Sequence, residues 1–166
     1  MSCLGRPQGA RAVSVNVRQI AGMATSQNLR FAAWVPADAE FDHPPGAALM
    51  RRLSAEVSTA GCHTDEMNNW RDCGWSVACS RGSGQLQVVL SQIQDGEWML
   101  QIAPHRVPGF LGGLVGSKAS ATPAEVYELA LSVHHALLAA GFLGSPQWRW
   151  DGFPDDEHST IEPNAV

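Results

Sequence analysis

The feature that most constrains this chain is a run of three strand-like segments between residues 73 and 104. In "GWSVAC", Trp75, Val77 and Cys79 alternate onto one face. In "QLQVVLSQI", Leu86, Val88 and Leu90 do the same, with Gln87, Val89 and Ser91 opposite. "EWMLQIA" adds Trp98, Leu100 and Ile102. The connections "SRGSG" and "QDGE" are short, and short turns join antiparallel neighbours. Asp95-Gly96 is a strong hairpin signal, expected as a type I′ turn with positive φ at both central residues. A meander with one face rich in large apolar residues must be covered on that face.

Two helical segments can supply the cover. Residues 47–60 place Leu49, Leu53, Val57 and Ala60 near helical spacing, with Met50 beside them and Arg51, Arg52 and Glu56 pointing away. Gly61 is the expected stop. Residues 123–140 carry the stronger signature. Thr122 is the N-cap, Pro123 takes the first helical position, and Glu125 completes a capping box. Val126, Leu129, Ala130, Val133 and Leu137 form the core stripe, and Gly141 ends it. Residues 29–35, "LRFAAWV", read as a first strand that stops at Pro36. The expected fold is α+β: a two-layer sandwich with an antiparallel sheet of three to five strands and both helices on one face.

Boundaries follow from composition. Residues 1–22 hold three arginines and no acid, lack the apolar core of a signal peptide, and are expected to be disordered; they read either as a mitochondrial presequence or, more simply, as an extension upstream of a natural start at Met23. Residues 23–150 form one α+β domain, and 151–166 an acidic C-terminal tail. No apolar run reaches the ~20 residues that a transmembrane helix needs. A formal charge of -5 disfavours nucleic acid, which is bound by neutralising phosphates, and suits a basic protein partner.

Catalytic signatures are weak. Cys3, Cys62, Cys73 and Cys79 form no C-x-x-C pair, and the spacing of Cys62, His63, Cys73 and Cys79 suits no zinc knuckle. Reduced thiols in a cytoplasm are expected, with no metal and no cofactor. "GGLVGSK", residues 112–118, departs from a phosphate loop because Ser117 separates Gly116 from Lys118. His134 and His135 are helix neighbours about 100° apart, poor co-ligands of one metal; one faces solvent or caps a buried polar group. G-x-S-x-G is absent. Carboxylates concentrate in residues 38–42 and 151–157, without the fixed separation that acid–base chemistry needs.

The remaining candidates are aromatic. Near the end stands "QWRWDGFPDDEH", where Trp148 and Trp150 alternate like strand residues around Arg149, followed by Asp151, Asp155 and Asp156. Three readings stand: the rings add an edge strand or clamp the sheet; they form a recognition surface, since tryptophan and arginine are enriched at interface hot spots; or they belong to an unstructured tail. The first two are compatible, because a docked strand can carry an exposed ring. Trp70, with Arg71 and Asp72, repeats the pattern. If the two segments meet in space, they make one aromatic, acidic surface. The loop "VPGFLGGLVG" adds Phe110 and Leu111 as apolar contacts. The expectation is a non-enzymatic, cytoplasmic protein-binding module, comparable in layout to immunity proteins or secretion chaperones. Its partner-binding residues are Trp70, Phe110, Leu111, Trp148, Arg149, Trp150, Asp151, Asp155 and Asp156. The competing expectation is a small-molecule site under the Gly-rich loop 109–116, with His63, His105 and Arg106 as its polar groups.

Overall fold

The computed structural model describes residues 26–36, 44–82, 84–105 and 121–166. The extension 1–22, the acids of 38–42, Arg106, the loop 109–116 with Phe110 and Leu111, and Lys118 lie outside the described residues.

The described chain runs β1 (Gln27–Ala32), α1 (Ala47–Thr59), β2 (His63–Thr64), β3 (Asn68–Asn69), β4 (Gly74–Arg81), β5 (Gly84–Gln94), β6 (Glu97–Pro104), α2 (Pro123–Ala139) and β7 (Gly144–Trp150). It is an α+β fold with one seven-stranded antiparallel sheet, ordered β2-β4-β5-β6-β1-β7, in which β3 also pairs with β4. The expected three to five strands become seven for two reasons. The two-residue strands β2 and β3 are polar and exist because β4 offers them an edge: His63 pairs with Ser80 and Asn68 with Ser76. At the far side, β7 pairs with β1, setting Trp148 opposite Leu29 and Trp150 opposite Gln27. The first strand therefore lies inside the sheet, between β6 and β7.

One sheet face supplies the core. Leu29, Phe31, Trp75, Val77, Cys79, Leu86, Val88, Leu90, Trp98, Leu100, Ile102 and Trp148 are all buried there. Met50, Leu53 and Val57 of α1 and Val133 of α2 meet Val77, Cys79 and Val88 around a void of about 10 Å3. That space admits a single water at most. The capping box forms as its chemistry requires: the Thr122 hydroxyl accepts from the Glu125 N–H at 3.3 Å, and Glu125 accepts from the Thr122 N–H at 2.7 Å. Ala60 is a correction to the α1 stripe; it is the C-cap and exposed.

Three buried indoles each find an acceptor, which burial of an N–H demands. Trp75 donates to the Pro44 carbonyl at 2.8 Å and Trp98 to the Ala33 carbonyl at 3.0 Å. Trp148 donates to His134 Nδ1 at 3.1 Å. The Asp95-Gly96 hairpin forms, but positive φ occurs at Gly96 alone, so the turn is not type I′. An extra residue in β5, around Ile93, absorbs the difference as a bulge. No helix among the described residues is long and apolar enough to cross a membrane.

Candidate functional site

The C-terminal residues 151–166 fold back on the sheet and close its β7 edge. Trp148 and Thr160 exchange backbone hydrogen bonds at 2.7 and 2.9 Å. The Asn164 carbonyl accepts from Gln27 Nε2 at 2.6 Å and from Trp150 Nε1 at 2.8 Å. Asn28 Nδ2 donates to the Gly152 carbonyl at 2.8 Å. Asp151, held at φ 49, accepts from the Ser26 N–H at 2.7 Å and returns its own N–H to the Ser26 carbonyl at 2.9 Å.

The acids of this segment mostly bind their own chain. Arg149 pairs with Asp155 and also donates to the Phe153 carbonyl at 3.2 Å. The Asp155 carboxylate accepts the N–H groups of His158 at 2.8 Å and Glu157 at 3.2 Å. The backbone bond from His158, helped by its ring and by Arg149, holds the Asp155 carboxyl below its ordinary range. Gln147 donates to Asp156. The segment is thus a clasp whose acidic side chains shape it.

The expected site residues separate. Trp148 is fully buried, so its ring is core and is not available at a surface. Trp150 is half-buried, its indole N–H held by Asn164. Trp70 sits in the β3–β4 hairpin at the other side of the sheet, with the Arg71 guanidinium 5.2 Å above its ring. Arg71 and Asp72 both take positive φ, at 53° and 59°, and Asn69 hydrogen-bonds Asp72 twice, at 2.8 and 3.1 Å. Four strands lie between β3 and β7, so at 4.7–4.9 Å per step the two W-R segments are about 24 Å apart. They do not form one surface.

A different tryptophan is exposed. In the chain continuing from β1, Leu29, Phe31 and Ala33 point into the core, which turns Arg30, Ala32 and Trp34 the other way. Trp34 is 80% exposed. It lines an open groove of about 270 Å3 with Ala33, Val35, Gln92, Asp95, Gly96 and Trp98. The strand period held this signal; the run "LRFAAWV" reads as uniformly apolar unless its two faces are separated.

The same end of the sheet is irregular. The β1–β7 register shifts between Arg30 and Ala32, and Ser145 takes φ 47 there. A second open groove, of about 290 Å3, runs past Ser145, Pro146, Gln147, Asp155, Asp156 and Ile161. Arg30 and Gln147 are register partners, so this groove starts on the strand next to the one that presents Trp34. Ile161 is 74% exposed. Arg30 is ion-paired with Glu97. Bulges concentrate where a sheet ends its pairing or re-aims a side chain.

No group of three or more His, Cys, Asp or Glu among the described residues could hold a metal. Burial pushes the Cys79 thiol up to about 12 and raises that of Cys62, which leaves both protonated. His63 is exposed, 3.9 Å from Asp65. His105 follows β6 directly and has a buried Nδ1 with no hydrogen-bond partner among the described residues. His134 is the buried histidine and His135 the exposed one.

No protein-family model matches the chain, and no curated protein matches it.

Proposed function

We propose that the chain is a non-enzymatic protein-binding module, acting in the cytoplasm much as immunity proteins or secretion chaperones do, through an acidic, tryptophan-bearing surface. In this reading α1 and α2 lie together on one face of a two-layer sandwich. Binding then falls to the irregular end of the sheet. The observation that carries the reading is Trp34, a large indole left 80% exposed beside an open groove. An aromatic ring in that setting is the residue type that anchors interfaces. Asp155 and Asp156, which line the second groove, would supply acidic character beside it, with Arg149 paired to Asp155. A net charge of -5 favours a basic partner.

The edges argue about the mode of binding. β2 and β3 are two residues each, and β7 is covered by the Thr160 bridge and interrupted by Pro146. Short, covered and proline-bearing edges resist strand addition. Side chains, rather than backbone ladders, are therefore the expected contacts.

The test is capture from host lysate by wild-type chain and by Trp34→Ala. An exposed side chain is safe to truncate, so matching melting curves are expected. Partners lost from Trp34→Ala support the reading; a partner retained at full yield defeats it. The alternative, a small-molecule or enzymatic site under the Gly-rich loop, draws on one observation, the unpartnered His105 Nδ1. A metabolite that raises the melting temperature of wild type and not of His105→Ala would support it.

A further inference from the structure

We infer that the Trp34 groove is a cradle for one cationic side chain, an arginine or lysine of the protein partner; this rests on the binding-module reading above. The backbone fixes where Trp34 emerges. The Ala33 N–H donates to the Gly96 carbonyl at 2.9 Å, and the Ala33 carbonyl accepts from the buried Trp98 indole at 3.0 Å. The residue before the exposed ring is thus held on both sides, and the ring stands at a defined place against the β5–β6 turn.

The charge of the lining selects the guest. Asp95 is the one charged residue that lines the groove, and no described cation pairs with it. The neighbouring carboxylate, Glu97, is already matched by Arg30. An open aromatic ring and an unmatched carboxylate in one groove suit a guest with a positive head. The ring quadrupole attracts a guanidinium or ammonium, and the carboxylate adds a charge-assisted hydrogen bond. An anionic guest meets Asp95 with the wrong sign, and a purely apolar one leaves that carboxylate partly desolvated. The groove, of about 270 Å3, has room for one long side chain.

The experiment is a two-dimensional NMR titration of the full chain with acetyl-Gly-Arg-Gly-amide, with acetyl-Gly-Glu-Gly-amide as control. Trp34→Ala assigns the Trp34 indole signal by its loss. The expected result is weak binding of the arginine peptide, with shifts centred on the Trp34 indole and the Asp95 and Gly96 amides. Asp95→Asn keeps the hairpin, because Asn-Gly suits tight turns as well as Asp-Gly does. It should weaken binding several-fold, and added salt should act in the same direction. The inference is overturned if the shifts avoid Trp34, if Asp95→Asn binds equally well, or if the glutamate peptide competes. It is also overturned if free arginine binds as tightly as the peptide, since the groove is then a small-molecule site. An arginine peptide that ignores Trp34, while Trp34→Ala still loses the lysate partner, sinks the cradle and leaves the binding module standing. A peptide that binds as expected, while Trp34→Ala keeps every lysate partner, sinks the module and leaves the cradle.

Discussion

The Trp148 indole N–H donates to Nδ1 of His134 at 3.1 Å, and this bond joins the last strand to the last helix. The acceptor role requires a neutral ring with its proton on Nε2. The site enforces that state. Burial comes first, with His134 only 6% exposed, and His135 at 5.9 Å adds to it; both hold the His134 imidazole below its ordinary value of 6.5, against a smaller upward pull from Glu162 in the clasp.

Stability should therefore fall in mild acid. A group whose folded value is depressed is protonated first in the unfolded chain, so its contribution is complete above about pH 6.5 and declines as pH drops toward the folded value. Urea midpoints measured from pH 8 to 5 should fall across the lower half of that range. His134→Gln, whose amide oxygen can still accept the indole proton, should show a flatter profile. Equal slopes for the two chains would exclude His134 as the source.

Removing the donor has a larger effect. Trp148 is fully buried, so Trp148→Ala should cost about 3–5 kcal/mol, the range for loss of a large core aromatic. Trp148→Phe keeps most of the packing and leaves His134 Nδ1 without its donor, which should cost about 1–3 kcal/mol. Equilibrium unfolding gives both numbers. A surface role for the ring would leave stability nearly unchanged.

Deleting Glu162–Val166 removes the Asn164 carbonyl that Gln27 and Trp150 both use. Gln27 is fully buried, and its Oε1 already has no partner. Stranding its Nε2 as well should cost about 1–3 kcal/mol. Faster hydrogen exchange at β7 and β1, with β4 and β5 unchanged, would localise the damage to the clasp side.

Gly46 precedes α1 at φ 93, and a Cβ there would lie 2.6 Å from Cζ3 of Trp98. Gly46→Ala thus combines backbone strain with a clash against a buried ring, and a loss of at least about 1–3 kcal/mol is expected. Gly61→Ala is the control: it has similar φ, at 90°, but open space, so it should lose only the backbone part. Equal losses for the two would mean that Trp98 moves aside freely.

Much of the interior was legible because it repeats. The period of two in β4, β5 and β6 and the stripe of α2 name buried residues directly, and the Thr122–Glu125 box is a local rule carried out locally. What stayed hidden depends on distant neighbours. His63, Thr64, Asn68 and Asn69 have no strand pattern of their own and are strands because β4 passes by. The clasp is built from single polar bonds, such as Asn164 to Gln27, that leave no periodic trace. The likeness of "WRD" at 70–72 to "WRWD" at 148–151 says nothing of strand order, and that order puts them at opposite sides of the sheet. Trp34 is the reverse case: a local alternation reveals its exposure, but an exposed ring declares a contact without naming what makes it.

The placement of β1 between β6 and β7 has a consequence for synthesis. Ser26 must meet Asp151, 125 residues later in the chain. At ribosomal rates of ~5–20 residues per second, that interval lasts roughly 6–25 s. Throughout it, one side of β1 has no strand to pair with, and Leu29 and Phe31 lack the Trp148 that will pack beside them. The nascent chain therefore carries an open, apolar strand edge until β7 emerges, a state in which a growing polypeptide can pair with a neighbour of its own kind.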